Sequence, residues 1–126
     1  MPSSSPLALL ACLSLLACDT QKPADVTAVL ARPPASFKAS CTTASLGVCT
    51  EYTDDAFGLG ESLVKTGCLE TRGAWSPARC PREGRLGTCA TRGSRRVYYP
   101  GGDLDFTSTT AARDCVELYQ GAFSAL

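Results

Sequence analysis

Six cysteines, at positions 41, 49, 68, 80, 89 and 115, limit this 126-residue chain more than any other feature. The chain holds eight cysteines in all; Cys12 and Cys18 lie in an apolar run near the start, which leaves these six for the body of the protein. An even number of cysteines in an exported chain reads as a disulfide framework, and six read as three bridges. A zinc site would need metal-ligand spacing, and no Cys-x-x-Cys pair and no histidine occur anywhere. No metal and no cofactor is therefore expected. The missing histidine also removes the commonest general base and every Ser-His-Asp or Cys-His arrangement.

Whether the chain is exported is decided by its first residues. LALLACLSLLA (7–17) carries no charge and ends abruptly at Asp19, Thr20, Gln21, Lys22 and Pro23. The run is too short to span a bilayer as a helix, which takes roughly 20 apolar residues. It fits the apolar core of a secretory signal. No Lys or Arg precedes it, so the N-terminal amine is the positive charge there.

The end of the run, Leu15-Leu16-Ala17-Cys18, resembles the lipobox of bacterial lipoproteins. That resemblance implies that the Cys18 thiol receives a diacylglycerol, that the chain is cut before Cys18, and that the new N-terminus is acylated, palmitate being a typical chain. Leu9-Leu10-Ala11-Cys12 repeats the letters, but only five apolar residues precede Cys12, fewer than the roughly 7–15 of a signal core. The expected organisation is a signal peptide (1–17), a lipidated cysteine with a proline-containing tether (18–39) and a cysteine-rich domain (40–126). The expected location is the bacterial cell envelope, held by lipid. Asp19 would favour the inner membrane in enteric bacteria; other lineages read that position differently, so inner and outer membrane both stay open.

Within 40–126 the sequence matches itself. CTTASLGVC (41–49) parallels CPREGRLGTC (80–89), and CLETRGAWS (68–76) parallels CVELYQGAFS (115–124). Two copies suggest pseudo-repeats, 41–76 and 80–124, rather than a solenoid. Each copy predicts one or more strands, one helix and a closing strand. LGVCTEYT (46–53) reads as a strand, with Thr53, Asp54 and Asp55 as cap candidates before a helix over 60–72 that Gly73 stops. LGTCATR and RRVYY predict a hairpin turning at Gly93-Ser94, which would set Arg92 opposite Arg95. STTAARDCVELYQ (108–120) predicts a helix with an apolar stripe of Ala112, Cys115, Val116 and Tyr119, capped by Thr107 or Ser108 and ended by Gly121. The fold class is a small disulfide-stapled α+β domain. The arrangement resembles small cysteine-rich lipoproteins of the myxobacterial type, which implies an architecture and no mechanism.

Six cysteines allow 15 pairings. Three per unit cannot all pair internally, so at least one bond crosses between units. With each LGxC cysteine on a strand and the next on a helix, the expected bonds are Cys49–Cys68 and Cys89–Cys115. Cys41 and Cys80 are then left for each other.

Few residues suggest chemistry. Residues 72–96 hold seven arginines against one Glu83. Arg92, Arg95 and Arg96, with Tyr98 or Tyr99 beside them, form a candidate patch for an envelope protein or an anionic polysaccharide. A solvated face balanced by Glu51, Asp54, Asp55 and Glu61 explains the same residues. Twelve basic and twelve acidic residues leave a formal net charge of zero, and no nucleic-acid partner is expected. Asp103 and Asp105 have a calcium-loop spacing, but the other ligands of an EF-hand are missing, so a turn before the helix explains them. Glu70 and Glu117 match in the two copies, yet helix surfaces account for both. No catalytic residue is assigned and an enzyme is not expected. The leading expectation is a lipid-anchored envelope protein that binds or scaffolds. The alternative is a disulfide-rich inhibitor or effector-neutralising module presenting residues 92–105 as its loop.

Overall fold

The computed structural model describes residues 36–126. Cys12, Cys18 and most of the expected tether lie outside them. The chain runs through β1 (Phe37–Thr43), β2 (Val48–Thr53), helix α1 (Glu61–Glu70), β3 (Ala74–Ser76), β4 (Gly87–Thr91), β5 (Ser94–Tyr98), helix α2 (Ser108–Tyr119) and β6 (Ala122–Ala125). Short 3-10 helices at Ala44–Leu46 and Asp54–Leu59 follow β1 and β2. The domain is α+β: six antiparallel strands in the order β3-β1-β2-β5-β4-β6 carry two helices. β1 starts at Phe37, so residues 37–39, expected at the end of the tether, belong to the sheet.

Register fixes which side chains share a face. Cys41 lies opposite Thr50 on one side and Trp75 on the other. Thr50 pairs with Arg96, and Cys89 lies opposite Arg96 and Phe123. Directly paired residues point to the same side of a sheet. One row therefore crosses all six strands: Trp75, Cys41, Thr50, Arg96, Cys89, Phe123. The neighbouring row, containing Thr42, Cys49 and Val97, points the other way.

This alternation corrects two of the three expected disulfides. The bonds are Cys41–Cys68, Cys49–Cys80 and Cys89–Cys115. Cys68 and Cys115 lie on the helices, and both helices cover the face carrying Cys41 and Cys89. Cys49 is one residue from Thr50 and so faces away from α1, out of reach of Cys68. It meets Cys80 instead, on the segment between β3 and β4 that crosses the second face. That segment is pinned at several points. The Ser40 hydroxyl donates to the Ala78 carbonyl at 2.7 Å, the Tyr99 hydroxyl donates to the Pro81 carbonyl at 2.6 Å, and Leu86 N–H donates to the Tyr98 carbonyl at 2.7 Å.

The proposed repeat units shift for the same reason. The sequence match equates Cys41 with Cys80 and Cys49 with Cys89. In the sheet, LGVC leads into β2, the second strand of its hairpin, whereas LGTC leads into β4, the first strand of the other. By strand position and register, Cys41 corresponds to Cys89, Cys68 to Cys115 and Trp75 to Phe123. Cys49 and Cys80, bonded to each other, have no cysteine counterparts. Units 41–76 and 80–124 are thus not the divisions of this fold, although the Gly-Ala-aromatic-Ser segments do occupy corresponding places. Their glycines are needed for close approach. A Cβ on Gly73 would stand 2.5 Å from the Cys41 sulfur, and one on Gly121 would collide with the Cys89 sulfur.

Local chemistry sets the ends of the elements. Thr107 caps α2: its side chain accepts from Thr110 N–H, and the Thr110 hydroxyl accepts from Thr107 N–H. Gln120, in a left-handed conformation, closes the helix one residue before the expected glycine. α2 also sits rotated from its expected stripe. Ala111 and Cys115 are buried, while Val116 and Tyr119 are exposed. The Cys115–Cys89 bond turns that side of the helix to the sheet. The β4–β5 hairpin turns at Arg92-Gly93, with Gly93 at φ +81°, and Thr91 pairs with Ser94. The expected clash of Arg92 with Arg95 does not arise.

The core has two parts. On the helix side Val48, Cys89, Tyr98, Phe106, Ala111 and Cys115 form one buried cluster. Tyr98 is its largest member, edge-to-face against Phe106 at 5.0 Å between ring centres and beside Phe123 at 6.2 Å. On the other face Cys49, Cys80 and Val97 form a smaller cluster closed by Tyr99.

Candidate functional site

The arginines and tyrosines expected to share one patch are divided by the strand that carries them. Arg95 and Arg96 are adjacent in β5, so they point to opposite faces. Arg95 donates to the Glu51 carboxylate at 2.7 Å on the face covered by the β3–β4 segment. Arg79 donates to the same oxygen at 3.0 Å and lies over the Phe37 ring at 4.5 Å. The second Glu51 oxygen accepts Cys80 N–H at 3.1 Å. Glu51 is almost fully buried, and these donors satisfy it. Arg95 is therefore held by a buried carboxylate of the neighbouring strand.

Arg92 is exposed at the hairpin turn. Tyr98 is fully buried and donates to Asp114 at 2.7 Å, while Tyr99 is half-buried and engaged with Pro81. The five residues do not form one basic surface. The sequence held the signal: residues 95 and 96 alternate as surely as 98 and 99 do. Glu70 and Glu117 are both exposed on their helices.

Arg96 occupies a different setting. It stands at the middle of the row crossing the sheet, on the helix side. α1 packs on β1 and β3, and α2 packs on β4 and β6, so the centre of the sheet lies open between them. The opening is a groove of about 370 Å³. Val48, Thr50, Tyr52 and Arg96 form its floor; Leu63, Val64 and Gly67 of α1 line one wall and Tyr119 of α2 the other. Tyr119 is expected on the apolar stripe of its helix, and Leu63 is a large apolar residue of α1. Leu63 and Tyr119 are 58% and 42% exposed and border this opening.

The Arg96 guanidinium lies over the Tyr119 ring at 4.6 Å and the Tyr98 ring at 5.6 Å. Its Nε is 3.7 Å from the Asp114 carboxylate, beyond hydrogen-bond range, and has no hydrogen-bond partner among the described residues. Asp114 instead accepts the Tyr98 hydroxyl. Two rings hold the cation in place without using its donors. The sequence places Arg96 in a strand but cannot place it between two helices.

Three phenols resist ionisation. Burial pushes Tyr98 well above the usual range, and its hydrogen bond to Asp114 adds to this. Burial also raises Tyr52 and Tyr99. Below the phenol pKa of the unfolded chain, about 10, both states are protonated and the stabilisation is fully present. Above it the unfolded chain loses protons that the folded chain keeps, so stability falls as pH rises. The urea midpoint should therefore drop between about pH 8 and about pH 11. An unchanged midpoint would show that these hydroxyls titrate as they do in the unfolded chain.

Among the described residues, no group of three His, Cys, Asp or Glu side chains is placed to hold a metal ion. No helix among them is long and apolar enough to cross a membrane. No protein-family model, curated protein or solved structure matches the chain.

Proposed function

We propose that this chain is an exported, lipid-anchored protein of the bacterial cell envelope whose disulfide-stapled domain binds a ligand in the groove between its helices. The observation that carries the reading is that all six cysteines of the domain are oxidised and buried. Such bridges persist in oxidising compartments outside the cytoplasm. The apolar run at 7–17 and the Leu15–Cys18 motif supply the address. Anchoring by several acyl chains would hold the protein firmly, whereas one chain holds only marginally.

The open groove favours binding over the inhibitor reading. That reading needs residues 92–105 as a presented loop, but β5 takes up 94–98 at the centre of the sheet. Part of the remainder is tied down: Asp103 N–H donates to the Ser45 carbonyl at 2.6 Å, and Gly102 sits against Gly47.

Mass spectrometry of the protein from envelope fractions tests the address. Cys18→Ala is expected to abolish acylation and leave an uncleaved or soluble product, while Cys12→Ala changes nothing. An unmodified N-terminus at another position would remove the anchor from this account.

A further inference from the structure

We propose that the groove between α1 and α2 is a binding site for a small carboxylate carrying an apolar body, with the Arg96 guanidinium taking the carboxylate. Arg96 is the charged residue among those lining the groove. A ligand that enters therefore meets a single positive charge among apolar side chains and hydroxyls. The side chain is largely enclosed, with 17% of its surface exposed, and its terminal nitrogens make no hydrogen bond among the described residues.

An arginine fork matches a carboxylate in geometry, and a pair formed away from water is stronger than one at the surface. The Tyr98 and Tyr119 rings fix the guanidinium beforehand, so little side-chain freedom is lost when a ligand binds. Asp114 touches the Nε side and answers part of the charge. Its distance and its bond to Tyr98 leave the fork for a better-placed acceptor. Tyr52, a neutral phenol on the floor, adds a donor. Leu63, Val64 and Val48 supply the apolar contact, and the volume is within the ordinary range of small-molecule sites.

Gly67 points to the same use. It stands inside α1, where glycine is less favourable than alanine. No neighbour demands it, since a Cβ there would meet nothing within 4 Å. Its missing side chain keeps the groove open.

The inference rests on the reading of the domain as a binding module, but not on the anchor. Loss of acylation at Cys18 would leave the groove intact, and failure to bind would leave the anchor intact. Phenylacetate serves as probe, phenylacetamide as its neutral twin and acetate as the charge alone. Each is titrated into the isotope-labelled full chain, following backbone amides and the Arg96 Nε–H resonance by NMR. Phenylacetate is expected to shift the Arg96 signal and groove amides saturably. The amide and acetate should bind about tenfold more weakly or worse, and Arg96→Gln should remove the preference for phenylacetate over the amide. Gly67→Leu, which fills the groove from an open helix position, should abolish binding while the melting temperature holds or rises. Equal binding of phenylacetate and phenylacetamide, wild-type affinity in Gly67→Leu, or no saturable shift would each overturn the proposal.

Discussion

Tyr98→Ala is expected to destabilise the domain by about 3–5 kcal/mol, the usual cost of deleting a large buried ring. Tyr98 is fully buried, and its ring touches the helix-side core from below α2 while Phe106 and Phe123 pack on it. No neighbour is positioned to fill the space, because Cys89 and Cys115 are tied to each other across the same cluster. The hydroxyl contributes separately. Tyr98→Phe keeps the ring but leaves Asp114 without its 2.7 Å donor, at a cost of about 1–1.5 kcal/mol. Urea unfolding of the three proteins at neutral pH measures both steps. For a small domain with a total stability of about 5–15 kcal/mol, the alanine variant should approach the limit of folding. A loss under about 1 kcal/mol for Tyr98→Ala would mean that this cluster is not the centre of the fold.

The paired substitution Cys89→Ala with Cys115→Ala should cost nearly as much. The bond closes a separation of 26 residues, for which loop closure alone gives about 3.5 kcal/mol. Both sulfurs are inaccessible to solvent, so the variant also leaves two unfilled sites against Tyr98. The separations for Cys41–Cys68 and Cys49–Cys80 are 27 and 31 residues. The loop term grows only with the logarithm of length, so the three bridges should differ by about 0.2 kcal/mol on that account. Larger differences would come from the native surroundings. Removing Cys89–Cys115 frees α2 from β4, and hydrogen exchange should show α2 opening before the central strands. Equal protection of α2 in both proteins would show that packing alone holds the helix down. Peptide mapping without reduction checks the pairing itself, and a Cys49–Cys68 peptide would contradict the alternation of β2.

Local pattern carried most of the elements. The spacing in STTAARDCVELYQ, with Thr107 before it, defines α2 to within a residue, because capping and helical period are properties of a short segment. VCTEYT and the β4–β5 hairpin are legible for the same reason, although the turn falls at Arg92-Gly93, one residue before the expected Gly93-Ser94. The rule that joins each LGxC cysteine to the helix cysteine after it holds for Cys89–Cys115, because Cys89 lies in the row facing the helices, and fails for Cys49–Cys68, because Cys49 does not. β1 was missed: FKASCTT has little alternation of its own, and its strand conformation comes from lying between β2 and β3.

Oxidised cysteines were written in the chain, but their pairing was not. Cys49 reads as a strand cysteine and Cys41 does not; only the register of β1 with β2 sends Cys41 towards α1 and Cys49 towards Cys80. One-residue differences in register reverse the face of a side chain, and register is a relation between strands. The groove belongs to the same category. Arg96, Gly67 and Tyr119 come from three elements, and nothing in their local sequence requires them to meet. They meet because two disulfides fix the helices over opposite halves of the sheet, and the strip between them holds the one arginine that the strand turns to that side.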